Sequence, residues 1–301
     1  MKILISVLNY NNFKITCLCL DSIIKNVEEQ YVLLLVDNNS TDNSYYLLKN
    51  KYKNIKCLLS SKNGGYASGH KISVNYGIEN KFDLLWVLNN DLTIKKATLK
   101  ELLSSHFQNG LGIYGSITLK SENPDIINFA GGKTDDISKP LDYNAFEDWK
   151  LGEYYKQEPN LRPVQSIEGS SFLIPFDIIK KHGFMREDFF MYGEETDYCF
   201  RLNKKGIKSY IVPRSIVVHK GAESLKKNRY LEKYYRRRNF LFFEKSHYGI
   251  PILKNISIKS GLINSIKYFF KFYIKFKTKD DLYYINLANI HALINKKGKL
   301  K

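Results

Sequence analysis

Apolar and polar positions along this chain come in blocks. Short apolar runs of strand length (Lys2–Leu8, Tyr31–Val36, Ile55–Leu59, Phe82–Leu88 and Gly112–Leu119) alternate with longer stretches whose apolar residues recur every three or four positions. The runs predict buried strands and the stretches predict amphipathic helices. Helices are expected over Phe13–Asn26, with Leu18, Ile23, Ile24 and Val27 inward, and over Ser44–Lys53. Two more are expected from the Lys62–Tyr66 loop to about Gly77, and over Thr93–Phe107. Asn39-Ser40-Thr41-Asp42 supplies turn and N-cap chemistry ahead of the second helix. This alternation implies an α/β fold, a mainly parallel central sheet with helices on both faces.

The pattern lapses over residues 120–165. Pro124, Gly131-Gly132, Pro140, Pro159 and Pro163 punctuate a polar stretch, which reads as a long, partly ordered insertion bordering an acceptor site. Order resumes at Gln165–Pro175. Helices follow at Asp177–Lys181 and at Glu195–Lys205, the latter ending at Gly206. Ile207–Val212 and Ile216–Val218 read as two short strands, and helices dominate beyond Leu225. The 301 residues therefore divide into a catalytic-sized domain, 1–224, and a helical C-terminal region, 225–301.

Charge sharpens that boundary. Residues 225–301 hold 19 Lys/Arg against 4 Asp/Glu, so +15 of the net +17 sits there. A basic appendage on a nearly neutral body points to an anionic partner, a membrane surface or a nucleic acid. Leu262, Ile266, Phe269, Phe270 and Tyr273 fall at helical spacing, with Lys267, Lys271 and Lys275 beside them. Such a helix either packs on the body or lies on an anionic leaflet with its lysines reaching the headgroups. Cys17, Cys19, Cys57 and Cys199 have neither metal-ligand spacing nor a disulfide pattern, and are expected to be reduced. Without a signal-peptide core or an uncharged run of 18 apolar residues, the expectation is a cytoplasmic protein, either soluble or peripheral on the inner membrane face.

Four segments carry the chemistry. Val7-Leu8-Asn9-Tyr10-Asn11, Val36-Asp37-Asn38-Asn39 and Leu88-Asn89-Asn90-Asp91 each close an apolar run with Asn or Asp. That puts polar side chains at carboxyl ends of strands, where open α/β sheets bind ligands. Asp37 suits a base N–H or ribose hydroxyls, or else only an Asx turn. Asp91 is a hard oxygen donor for a divalent ion on a diphosphate, with His219 as candidate second ligand. Asn63-Gly64-Gly65 lets backbone approach a ligand and leads into a helix N-terminus, with Lys71 in its first turn as a phosphate contact. Tyr192-Gly193-Glu194-Glu195-Thr196-Asp197 concentrates three carboxylates behind an apolar Phe189-Phe190-Met191 wall. Burial beside that wall disfavours a charged carboxylate, which suits a general base. Asp197 and Arg201 are spaced to pair, so Glu195 is the preferred base and Glu194 the second choice.

Together these segments resemble the family 2 glycosyltransferases, inverting enzymes of the GT-A fold, and in particular their bacterial rhamnosyltransferase-like branch. Asn9-Tyr10-Asn11, Val36 to Asp42, Asn63-Gly64-Gly65-Tyr66-Ala67 and Leu88-Asn89-Asn90-Asp91 match family motifs in order. So do Gly193 to Asp197 with Arg201, Val218-His219-Lys220-Gly221-Ala222-Glu223-Ser224, and Tyr235-Arg236-Arg237-Arg238-Asn239. The chain departs from the family at His70-Lys71 and at Ile174-Pro175-Phe176, which follows Gly169-Ser170-Ser171. The resemblance implies a nucleoside-diphosphate sugar donor (UDP- or dTDP-linked) and a donor site of Leu8, Asn9, Tyr10, Asn11, Asp37, Asn39, Asn63, Gly65, Lys71, Asn89, Asn90 and Asp91. It also implies Mg²⁺ or Mn²⁺ on Asp91 and His219. Glu195, Glu194 and Asp197 form the implied catalytic cluster. The implied acceptor is a glycan or lipid-linked glycan in surface polysaccharide synthesis. Two rivals are a sugar-phosphate nucleotidyltransferase and a nucleic-acid-binding protein. The first needs an early basic Gly-rich loop, but Ser6–Asn12 has neither glycine nor a base. Nucleic acid is disfavoured because carboxylates at the strand ends repel polyanions.

Overall fold

The computed structural model describes residues 1–132, 146–220, 229–252 and 281–300. Their strands are β1 (Ile3–Asn9), β2 (Tyr31–Asp37), β3 (Lys56–Leu59), β4 (Leu84–Asn89), β5 (Leu92–Ile94), β6 (Ile113–Lys120), β7 (Ile127–Phe129), β8 (Arg162–Val164), β9 (Ser171–Pro175) and β10 (Ser209–His219). Their helices are α1 (Phe13–Asn26), α2 (Ser44–Lys51), α3 (Tyr66–Glu79), α4 (Thr98–Asn109), α5 (Leu151–Gln157), α6 (Phe176–His182), α7 (Glu194–Asn203), α8 (Arg229–Tyr248) and α9 (Asp281–Leu293). Two compact units emerge. One comprises Met1–Met185 and Glu195–Gly221, the other Arg186–Glu194 and Ala222–Lys301. The boundary at 224 expected from charge thus misses one segment, Arg186–Glu194, which joins the C-terminal residues.

The first unit is built on one mixed sheet in the order β3-β2-β1-β4-β9-β6-β10-β5, with β7 on β6 and β8 on β10. The β3-β2-β1-β4 half is parallel throughout, and most paired residues of the sheet stand in parallel ladders. β9 enters antiparallel between β4 and β6. The continuous apolar runs follow from burial on both faces. Ile3, Ile5 and Val7 of β1 face one core with Leu84, Trp86 and Leu88 of β4. Leu4, Leu85 and Val87 face the other. Each such side chain contributes roughly 1.5–3 kcal/mol on burial. Chain order reverses between β1 and β4, so a ligand crevice is expected at their carboxyl ends. α3 lies close over β1 there, because a Cβ at Gly69 would collide with Leu8.

Three sequence expectations change. The inward face of α1 carries Thr16, Cys19, Leu20 and Ile23, while Leu18 and Ile24 are 45% and 52% exposed. A buried threonine and cysteine took positions that hydrophobic periodicity assigned to leucine and isoleucine. The helix expected over Thr93–Phe107 starts at Thr98, because Leu92-Thr93-Ile94 instead forms β5 against the end of β10. The two short strands over 207–218 are one strand, with a register shift between Val212 and Ile216. In the insertion, β7, α5 and β8 are ordered elements. The four cysteines are free.

In the second unit, Tyr234, Tyr235, Leu241 and Phe242 of α8 pack with Ala288 and Ala292 of α9 and with Phe189 and Phe190. Among the described residues no helix is long and apolar enough to cross a membrane. The amphipathic stretch Leu262–Tyr273 and the Gly221–Ser224 part of the late motif lie outside the described residues.

Candidate functional site

Parallel pairing sets Asn9 opposite Asp37 and Leu8 opposite Asn89, which brings three motif ends together. Asn9 is fully buried and serves as their hub. Its Nδ2 donates to Asp37 Oδ2 at 2.6 Å, and its Oδ1 accepts from Thr16 Oγ1 at 2.7 Å and Asn90 Nδ2 at 3.3 Å. Asn90 also donates to Thr16 at 2.7 Å. Asp37, itself buried, accepts from the Ser40 amide at 2.7 Å and the Ser40 hydroxyl at 2.8 Å. The Asx-turn role and the strand-end position therefore coexist in one residue. Asn11 (φ +52°) and Asn39 (φ +61°) take left-handed backbone, which Asn tolerates better than most residues. Asn11 Oδ1 accepts from the Thr41 amide at 2.6 Å. Tyr10 is exposed beside them.

The Gly-rich loop is tied to the same edge. Asn38 donates to Gly65 O at 3.0 Å and Asn63 Oδ1 at 3.2 Å, and Gly65 adopts φ +90° ahead of α3. The Tyr66 hydroxyl donates to Gly169 O. His70 is not a surface cation. It is buried against Ser6, 2.9 Å from its Oγ, and burial pushes its pKa down to about 3. Lys71, one residue on, is half-buried. The feature that favoured an anion at this helix start thus reduces to one lysine.

The second polar corner lies at the ends of β4 and β10. Antiparallel pairing of β5 on β10 sets His219 opposite Leu92, so Asp91 falls beside the imidazole. His219 Nε2 is 3.0 Å from Asp91 Oδ1, and the Lys220 amide donates to Asp91 O at 2.9 Å. Burial opposes a charge on His219, but the hydrogen bond and charge of Asp91, with Glu168 beyond, raise its pKa to about 9. Two ligand atoms side by side on one Mg²⁺ or Mn²⁺, each bonded at about 2.1 Å, are about 3 Å apart. The Asp91–His219 spacing and donor types fit that arrangement. Among the described residues no group of three or more His, Cys, Asp or Glu could hold an ion. A cation on this pair would be completed by diphosphate oxygens and water.

The acid cluster opens α7. Glu195 is half-buried in the first unit, while Glu194 is buried and closes the 186–194 segment of the second. Asp197 is fully buried, and its Oδ2 accepts from Arg201 Nε at 2.8 Å. Phe190, Tyr192 and Gly193 precede the cluster at φ +71°, +68° and +88°. Positive φ at an aromatic residue is strained and persists only where surroundings hold it. Within the second unit Asn239 does so, donating to Met191 O at 2.8 Å and Tyr192 O at 2.7 Å. Arg238, buried beside it, donates to Phe189 O at 2.6 Å.

Sequence reasoning missed Thr16, Glu168, Thr118 and Ser170. Glu168 was legible only as a charge three residues ahead of the wholly buried strand β9. The antiparallel entry of β9 brings it to the site: Leu88 pairs with Ser171, and the Asn89 amide donates to Ser170 O at 2.9 Å.

A family model described as Glycosyl transferase family 2 matches residues 4–183. The chain is 28% identical over 176 residues to the low-salt glycan biosynthesis hexosyltransferase Agl10 of Haloferax volcanii, covering 58% of this chain and 54% of that protein. It thus spans about half the length of that relative. It is 24% identical over 251 residues to the dTDP-rhamnosyl transferase RfbF of Shigella flexneri, covering 79% of this chain and 78% of that one. In structure it is similar to the mannosyltransferase PcManGT from Pyrobaculum calidifontis, solved with GDP-Man and Mn²⁺. That likeness has a TM-score of 0.59 at 9% identity, and covers 97% of this chain and 86% of that one. The fold is of the GT-A type.

Proposed function

The chain belongs to glycosyl transferase family 2, and on that premise we propose that it is an inverting glycosyltransferase acting on a nucleoside-diphosphate sugar. One observation carries the proposal: Asp91 and His219 stand 3.0 Å apart at the carboxyl ends of the sheet. The donor is a UDP- or dTDP-linked hexose or deoxyhexose; the relatives' names speak of hexosyl and dTDP-rhamnosyl transfer. The acceptor is a hydroxyl of a glycan or lipid-linked glycan of a surface polysaccharide. Residues 1–118 supply the donor half and about 164–224 the acceptor half.

Asp91 and His219 would hold Mg²⁺ or Mn²⁺. A bound cation offsets the negative charge growing on the leaving diphosphate. Tyr10 and Asn11 flank the nucleoside. Asn9 and Asp37 set the shape of its pocket from beneath, since their polar atoms bond to one another and to Ser40, Thr16 and Asn90. Asn39, Asn63, Gly65 and Lys71 line the path of the diphosphate, with Asn89 and Asn90 at its end. Glu195 takes the proton of the acceptor hydroxyl on the face opposite the leaving group, and direct attack inverts the anomeric centre. Glu194 is second choice for that role. Asp197, neutralised by Arg201, steadies α7.

The basic 225–301 segment, at +15, supports attachment to an anionic inner leaflet, each cation near such a surface contributing about 1 kcal/mol. Sedimentation with anionic but not neutral liposomes, reversed by salt, is the expected result.

The activity is tested by nucleotide release from a panel of UDP-, dTDP- and GDP-sugars, with and without EDTA. Release from one donor class, abolished by EDTA and restored by Mn²⁺ or Mg²⁺, is expected. Undiminished release in excess EDTA would sink the metal assignment.

A further inference from the structure

His219 has a carboxylate on each side. Its Nε2 faces Asp91, and its Nδ1 lies 3.9 Å from Glu168 Oε1. Glu168 is held for that position. Its other oxygen, Oε2, accepts from Thr118 Oγ1 and from Ser170 Oγ, both at 2.7 Å. Thr118 stands on β6 and Ser170 just ahead of β9, and both are buried. Two fixed hydroxyls thus occupy one carboxylate oxygen and turn the other toward the imidazole. The gap is too short for a bridging water and about 1 Å longer than a hydrogen bond, so a small rotation of the carboxylate closes it.

An imidazole that ligates a cation through one nitrogen keeps its proton on the other, and the partner of that proton fixes the tautomer and the ring plane. We propose that Glu168 is a positioning residue: it takes the Nδ1 proton of His219 in a hydrogen bond and so presents the Nε2 lone pair, beside Asp91, to the divalent cation. This rests on the metal-dependent transfer proposed above. Glu168 is not a ligand in this arrangement, because it lies across the ring from Nε2. Thr118 and Ser170 form the layer behind it.

The test is Mn²⁺ titration followed by electron paramagnetic resonance, with and without UDP, on wild type, Glu168→Gln, Glu168→Ala, the Thr118→Val/Ser170→Ala pair and Asp91→Asn. Glu168→Ala is expected to weaken Mn²⁺ binding 10–100-fold. Glu168→Gln should weaken it less, because its amide oxygen still accepts from Nδ1. The Thr118/Ser170 pair should weaken it in the same direction with Glu168 intact, which carries the test if Glu168→Ala does not fold. Nitrogen-15 spectra of the Mg²⁺-loaded protein give a second readout. The His219 Nδ1 proton should be downfield and slow to exchange in wild type, and lose both signs of a hydrogen bond in Glu168→Ala. Mn²⁺ binding by Glu168→Ala within twofold of wild type, with the Nδ1 proton signal unmoved, would overturn the inference alone. Loss as complete as in Asp91→Asn would make Glu168 a ligand and overturn it too. Failure of wild type to bind Mn²⁺ with UDP would overturn the metal assignment, and this inference with it.

Discussion

Two polar corners sit at the carboxyl ends of the same sheet, and they are built on opposite plans. At β1 and β2, Asn9 and Asp37 are buried and bond to each other and to Thr16, Ser40 and Asn90. At β4 and β10, Asp91 and His219 stay partly exposed and face each other as a charged pair. Both corners match family motifs, yet Asn9 and Asp37 commit their polar atoms to fixed neighbours, whereas Asp91 and His219 can exchange each other for a ligand. A motif residue can be kept for the shape it gives a site as well as for contact with substrate. Asp37 shows this best: with 1% of its surface exposed, it organises the turn that carries Asn39 and Ser40.

The sharpest way to break this contrast is to remove charge from the open corner. Asp91→Asn should cost turnover roughly 10³-fold or more, the several kcal/mol that a cation supplies to a leaving diphosphate. At about pH 9.5, where the pairing with His219 no longer contributes, its urea unfolding midpoint should barely move. A variant that unfolds readily yet keeps its per-molecule rate would reverse the roles assigned to the two corners.

Glu195→Gln extends the open plan to α7. The amide keeps the shape but accepts no proton, so turnover should fall 10²–10⁴-fold while donor binding, followed by calorimetry, is unchanged. An active Glu195→Gln beside a dead Glu194→Gln would move the base by one residue.

Asn9→Ala tests the closed corner. It strips a partner from Asp37 Oδ2, Thr16 and Asn90 within a buried network, and should lower stability by about 2–3 kcal/mol. Urea denaturation measures this, and a loss below about 0.5 kcal/mol would mean the network is not structural.

The smallest effect is a pH dependence in EDTA. The folded pKa of His219, about 9, lies above the ordinary imidazole value. Its pairing with Asp91 therefore stabilises fully below about pH 6.5, and that contribution is lost as pH rises through 9. The stability gap between wild type and His219→Ala should shrink by on the order of 2 kcal/mol between pH 6 and pH 9.5. A gap that widens with pH would show that His219 is neutral in the folded protein.

The second unit offers a third plan. There, backbone at positive φ through Phe190, Tyr192 and Gly193 is held by side-chain donors from Arg238 and Asn239. Nothing in Phe189-Phe190-Met191-Tyr192-Gly193 betrays this strain except the final glycine. The Arg238-Asn239 motif was legible, but its partners, about 50 residues away, were not.

The sequence by itself determined the strands of the parallel half, the polar residues at their ends and the order of the family motifs. These are local: a run of apolar residues buried on both faces must be a strand, and the Asn or Asp that closes it must lie at its end. The tertiary structure alone decided which polar residues share a corner. Leu92-Thr93-Ile94 reads as the start of a helix, and only its pairing with the end of β10 brings Asp91 to His219. Glu168 is one charge in an irregular stretch until β9 threads antiparallel between β4 and β6. Strand pairing acts between residues about 80 to 130 positions apart, and its register depends on how two cores fill together. Local pattern carries no record of that choice.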